Sequence, residues 1–230
     1  MGLFLFFLLV IGLSSCSARI EGVVKEGGEA DISVRTSLEP RTLSLLRSLR
    51  GFMGTTQDTP ILDGEAISRS MAAAPGISAV SLVNTGQETL EGSILISHVG
   101  DFLSFGGNKF ITYTENAGIA SIAVVLDRNS APEIIPMLSP EVEEYLSALM
   151  APAVLGDRMT RQEYIALVAS IYSRPLADEI ATAQIRAVIG FPRRITAIRG
   201  GNSAERRAEF DIPLLDILVL EEPLKLEVTW

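Results

Sequence analysis

The stretch Ile20-Glu21-Gly22-Val23-Val24-Lys25-Glu26-Gly27-Gly28-Glu29-Ala30-Asp31-Ile32-Ser33-Val34-Arg35 sets the fold class. Ile20 to Val24 is a short β-branched apolar run. Lys25-Glu26-Gly27-Gly28 then supplies the glycines that a tight reversal needs. Beyond it, Ala30, Ile32 and Val34 alternate with Asp31, Ser33 and Arg35, the period-2 pattern of a strand with one face buried. Two such runs around a Gly-Gly turn predict an antiparallel hairpin, and the domain opens with it.

Further along, Pro40 begins a helical stretch to about Met53, closed by Gly54, with Leu43, Leu45, Leu46, Leu49, Phe52 and Met53 on one broad face. Arg41, Arg47 and Arg50 flank that face, as expected of a helix that covers a sheet and leaves its arginines in water; the alternative is an interfacial helix whose arginines snorkel towards headgroups. Asp63 is a good N-cap for a second helix to Ala74, which Pro75-Gly76 stops. Strands over Ile77–Val83 and Leu90–Val99 follow. The order strand, helix, Pro-Gly, strand, turn, strand resembles part of a ferredoxin-like unit. The next hairpin, Lys109–Thr114 with Ile119–Leu126 around Asn116-Ala117-Gly118, departs from it, so a four-stranded β-meander is the expectation.

A helical pair centres the second half. After Ser139-Pro140, Val142, Tyr145, Leu146, Leu149, Met150, Ala153 and Val154 form an amphipathic stripe opposite Glu141, Glu143 and Glu144. Thr160-Arg161-Gln162-Glu163 is a capping box for the next helix, whose stripe is Tyr164, Leu167, Val168, Ile171 and Tyr172. A shorter helix continues past Pro175 to about Gln184. The remainder is strand-rich, with alternation over Ile185–Phe191, Ala208–Ile212 and Leu224–Trp230, a turn at Gly200-Gly201-Asn202, and a continuous apolar run, Leu214–Leu220. A terminal strand ending in Trp230 should be docked rather than frayed. With no internal repeat and no low-complexity linker, the expectation is one α+β domain: antiparallel hairpins and a meander sheet covered by amphipathic helices.

Composition narrows the function. The chain has 230 residues, 47% of them hydrophobic, enough for a substantial core and incompatible with disorder. A net charge of −9 argues against general nucleic-acid binding and against broad attraction to anionic headgroups. A local exception is the arginine group Arg193, Arg194, Arg199, Arg206 and Arg207, which flanks a predicted hairpin and reads as a solvated face.

The N-terminus gives an address. Leu3–Leu13 is uncharged and apolar, yet as a helix it reaches only about half of a ~30 Å hydrocarbon core. Its length suits the apolar region of a secretory signal. Leu13-Ser14-Ser15-Cys16 follows and resembles the lipobox of bacterial lipoproteins, although no Lys or Arg precedes the run. The resemblance implies a signal peptide over residues 1–15, cleavage before Cys16, diacylation of the Cys16 thiol and N-acylation of the new terminus. The mature domain would then be residues 16–230, anchored to a membrane through Cys16. Cys16 is also the only cysteine, so no internal disulfide competes for its thiol. Ser17 in place of Asp favours the outer membrane of the cell envelope, on its periplasmic face. No later apolar run approaches ~18 residues.

Chemistry is sparse. With Cys16 assigned to the lipid and His98 the only histidine, no zinc-ligand set can be built, and no EF-hand loop occurs. His98 and Asp101 could assist a nucleophile, but no Gly-x-Ser-x-Gly elbow accompanies them. Glu141, Glu143 and Glu144 suit a helix start, and Glu221-Glu222 a turn. Gly106-Gly107-Asn108 and Gly200-Gly201-Asn202 lack the Gly-Lys-Ser/Thr of a phosphate loop. No catalytic, metal or cofactor-binding residue is therefore assigned. The expectation is a non-catalytic, lipid-anchored envelope protein binding a hydrophobic ligand, a lipid or an envelope protein. The alternatives are a structural lipoprotein without a ligand and a tethered hydrolase using His98.

Overall fold

Residues 17–52, 60–104, 110–134, 149–150, 152, 155 and 157–230 are described by a computed structural model. The lipobox, Cys16 and the residues before it lie outside this set, as do Met53, Gly106 to Asn108, Glu141, Glu143, Glu144 and most of the expected helix from Pro140.

The opening hairpin is present: β1 (Ser17–Val24) pairs antiparallel with β2 (Ala30–Ser37), Val24 opposite Ala30. Gly27 and Gly28 have φ of 92° and 84°, which a side chain would oppose. β2 alternates buried and exposed along its whole length, as its sequence pattern requires. After it come α1 (Pro40–Phe52), α2 (Gly64–Ala72), β3 (Ile77–Asn84) and β4 (Thr89–Ile96). Asp63 caps α2 by accepting from the Ala66 N–H at 3.0 Å. Ser68 of α2 accepts from the Leu82 N–H of β3 at 3.0 Å, covering part of that strand's open edge.

The predicted second strand runs to Val99, but β4 stops at Ile96 and α3 (Val99–Ser104) follows. The Val99 N–H bonds to Gly28 C=O at 2.7 Å, and Phe102 and Leu103 are buried. This helix interrupts the meander. The next hairpin, β5 (Ile111–Asn116) and β6 (Ile119–Leu126), therefore belongs to a different sheet from β3 and β4. A short α4 (Ala131–Ile134) comes next, then α5 (Arg161–Ile171) and α6 (Arg174–Thr182). The strands β7 (Gln184–Gly190), β8 (Ala197–Arg199), β9 (Asn202–Ala204) and β10 (Arg207–Pro213) precede α7 (Leu214–Val219) and β11 (Leu224–Thr229). Leu214–Leu220, met as one more apolar stretch in a strand-rich region, is largely helix. Leu214, Leu215, Ile217, Leu218 and Val219 are all buried, and a helix covered on every side has no periodicity to read.

The result is one α+β domain with two sheets. The larger has the order β3-β4-β2-β1-β7-β10-β9, the smaller β5-β6-β11-β8. All described pairings are antiparallel except β1 with β7, where Ser17 meets Gln184 and Val23 meets Gly190. The outer face of the larger sheet carries Arg19, Glu21, Ser33, Arg35 and Ser93. The inner face is shared between two covers. At the Ser17 end, α1 leaves β2, α6 enters β7 and α7 leaves β10, while the Gly64 N–H of α2 bonds to Asn84 Oδ1 at 2.9 Å. Helices gather there. The other end, where Val24, Ala30 and Ile96 lie side by side, faces the smaller sheet.

Trp230 is docked: it exchanges two 2.9 Å backbone hydrogen bonds with Ala120, and its ring lies 4.6 Å from that of Phe191. In α5 the capping box is complete and Tyr164 and Val168 are buried, but Leu167 is 39% and Ile171 62% exposed. The stripe that the spacing predicts is thus only half used. Of the preceding expected helix, Leu149 and Met150 are described and buried, with Leu149 C=O accepting from the Tyr164 hydroxyl at 2.9 Å.

Candidate functional site

Two sheets facing each other leave a space that their side chains must fill, about 10 Å between backbones. Here the filling is incomplete. A cavity of about 100 Å³ remains between the sheets. One wall is Ile20, Val24, Ala30, Ile32 and Ile96 with Ala187, Ile189, Phe210 and Ile212 from β7 and β10. The opposite wall is Ile122, Val124, Leu226 and Val228 of β6 and β11; Val99, Phe102 and Leu103 of α3, together with Phe191, complete it. Glu227 is the single ionisable residue among these described neighbours, and it is exposed. Since a water needs about 10–15 Å³ of such space and two to four polar partners, the cavity has room for several but nothing to hold them. Its volume matches a short alkyl chain.

The cavity exists because small residues of β2 and β7 line it where larger ones would meet across the gap. Ala30 and Ala187 withhold three carbons each relative to leucine. The space lies between the sheets, not beneath the helical pair. No sequence reading could have placed it, because its walls come from strands far apart in the chain and each residue reads as ordinary core. A wider hollow of about 790 Å³ on the outer face is open to solvent and lined by Glu21, Asp31, Ser33, Ser93 and Arg207 among others.

His98 precedes α3. Its Nδ1 accepts from the Asp101 N–H at 3.2 Å and lies 3.5 Å from Asp101 Oδ1, so this nitrogen is used to cap the helix. Among the described residues no serine, threonine or cysteine side chain is bonded to it. Glu221 accepts from the Arg161 N–H at 3.0 Å at the start of α5. Gly200 turns between β8 and β9 with φ 74°, and a Cβ on Gly201 would meet Glu209 C=O at 2.5 Å. These glycines serve the turn. Among the described residues no three His, Cys, Asp or Glu side chains converge as a metal site, and no helix is long and apolar enough to cross a membrane.

The arginine group is brought together in part. Arg193 and Arg194 sit in the loop after Phe191, which is closed against the β9–β10 turn by Phe191 N–H to Arg206 C=O and Ile195 N–H to Glu205 C=O, both 2.7 Å. Arg207 pairs with Gly190 across the strands, Arg193 donates to Gly118 C=O, and Arg199 lies opposite Glu227 in the smaller sheet.

No protein-family model matches the chain, and no curated protein matches it. Among solved structures it is similar to the folded domain of the Mycobacterium tuberculosis protein LppM, determined by NMR, at 10% identity over 94% of this chain and 89% of that one, with a TM-score of 0.45.

Proposed function

We propose that this chain is a non-catalytic, lipid-anchored envelope protein whose domain holds an apolar ligand between its two sheets. The observation that carries the reading is the inter-sheet cavity, walled by aliphatic and aromatic side chains. Such a space gains nothing from water, and filling it with hydrocarbon contributes roughly 25 cal/mol for each Å² of apolar surface covered. The address rests on Leu13-Ser14-Ser15-Cys16, and Ser17 favours the outer membrane. Because Ser17 already belongs to β1, a lipid on Cys16 would hold the domain against the bilayer without a spacer.

Ala187→Leu tests the cavity. The added carbons enter the existing space, so stability changes by less than about 1 kcal/mol, and apolar ligand co-purifying with the full-length chain is lost. The control is Ala208→Leu, at a fully buried position that does not line the cavity, where overpacking costs about 1–3 kcal/mol. Denaturant titration and mass spectrometry of extracts measure both. If the two variants are equally destabilised and wild type carries no apolar ligand, a scaffold with a filled core is the correct description. Cys16→Ala tests the anchor and should release the chain from membranes or leave it unprocessed.

A further inference from the structure

Helices α5 and α6 form a hairpin that is tied down at its base. At the α5 end, the Arg161 N–H donates to Glu221, and the Arg161 guanidinium lies 3.0 Å from Asp216 on α7. At the α6 end, Ala183 C=O accepts from the Leu214 N–H at 2.9 Å, where α7 begins. The next residue, Gln184, pairs with Ser17 at the start of β1. The two helices meet at Tyr172 and Ser173, and Ser173 caps α6 by accepting from the Leu176 N–H. That junction is the tip of the hairpin. With nine residues in α6, it stands roughly 14 Å from Ala183. Along the shaft Tyr164, Val168, Leu176, Ala177 and Ile180 are buried, yet towards the tip Leu167, Ile171 and Tyr172 are 39%, 62% and 46% exposed. Val23, Val83, Leu95, Ile119 and Val125, the exposed apolar side chains of the sheets, are spread over several strands instead. Arg174, beside the tip, is paired with Asp178 at 2.9 Å. The tip is thus an apolar patch whose neighbouring cation is neutralised.

The position of the N-terminus says what meets this patch. Cys16 immediately precedes Ser17, which lies at the base of the hairpin. Resting on the reading that Cys16 carries a lipid, we infer that the α5–α6 tip is a second membrane contact, with Leu167, Ile171 and Tyr172 seated in the interfacial zone of the bilayer. A tyrosine suits that zone, its ring apolar and its hydroxyl wet. Helices that lie there sink their apolar residues about 5–10 Å into the boundary between headgroups and acyl chains. Attachment at two points fixes the tilt of the domain, which one lipid alone leaves free. Because the chain carries a net charge of −9, the contact works by apolar burial and needs no anionic lipid.

The test uses the full-length chain in phosphatidylcholine vesicles that contain some lipid spin-labelled on its acyl chain. Ser170→Cys, at an exposed position of α5, carries an environment-sensitive fluorophore. Ser203→Cys on β9, near the Val24 end of the larger sheet, carries it in the control. Acylated Cys16 takes no label. The spin label should quench the probe at 170 and leave the probe at 203 bright, equally at low and high salt. Replacing Leu167 and Ile171 together by Gln should lower the quenched fraction about tenfold or more. The urea midpoint of that variant should stay close to wild type, and the chain should still float with the vesicles. An unquenched probe at 170 on a chain that floats would overturn the tip contact while the anchor stands. A collapse of the urea midpoint in the Gln variant would overturn it by showing that the chain itself covers the patch. Dimers that sediment in wild type and vanish in the variant would overturn it in favour of a second copy. If the chain does not float at all, the anchor reading fails, and this inference fails with it.

Discussion

At the scale of single residues, Thr36 is the clearest case of a side chain in the wrong chemistry. It is fully buried on the inner face of β2, between Ala18 and Leu90 across the strands, and its Oγ1 has no hydrogen-bond partner. An unsatisfied buried hydroxyl costs about 1–3 kcal/mol, and valine has nearly the same shape without it. Thr36→Val should therefore raise stability by about 1 kcal/mol or more, seen as a higher urea midpoint at an unchanged slope. The period-2 alternation from Ala30 predicts which way Thr36 points, but the missing partner depends on neighbours that alternation does not identify. The cavity was illegible for the same reason. Ala30 and Ala187 differ from other small core residues only in what stands opposite them. His98 reads from sequence as an exposed histidine at a strand end with no nucleophile motif beside Asp101, and the structure places it just before α3, where its Nδ1 accepts from the Asp101 N–H.

At the scale of elements, legibility followed local hydrogen bonding. The capping box of α5 could be seen in Thr160 and Glu163, and both of its halves form: Thr160 N–H donates to Glu163 Oε2 at 2.8 Å, and Glu163 N–H to Thr160 Oγ1 at 3.2 Å. Thr160→Ala should cost about 1 kcal/mol near neutral pH, measured by denaturant titration. The backbone hydrogen bond from Thr160 holds the Glu163 carboxyl below its ordinary value. A carboxyl whose folded pKa is depressed contributes stability that is complete above its unfolded pKa, about 4.3, and is lost as pH falls through the folded value. Thr160 Oγ1 also donates to that carboxylate at 2.8 Å, a bond alanine cannot make, so the cost of Thr160→Ala should shrink when the titration is repeated at about pH 3. Elements set by tertiary burial were harder to read. Helix α7 is buried and apolar at every position except Asp216, and α3 hides in what looks like the end of a strand because its buried Phe102 and Leu103 are as apolar as strand residues. Leu167 and Ile171 show the converse, a well-spaced apolar stripe that the domain only half covers.

At the scale of the whole molecule, the α+β class and the antiparallel hairpins follow from alternation and turn glycines, but the joining of distant segments does not. β1 and β7 are parallel neighbours from opposite parts of the chain, and nothing in either strand names the other. Their pairing puts the first described strand in the middle of the larger sheet, with β2 on one side and β7 and β10 on the other. A chain ending at Ala183 should therefore fail to reach a soluble native state, because β1 would keep an open edge that invites association with other chains. Sedimentation and dye binding to exposed apolar surface check this. Chain order adds a kinetic dimension. A polypeptide emerging N-terminus first makes its central strand at the beginning and its flanking strands near the end, so the larger sheet closes late and over long sequence separations. On the proposal that Cys16 is acylated, the modification acts on a nascent segment whose neighbouring strand is still waiting for β7, and attachment would come before the larger sheet is complete.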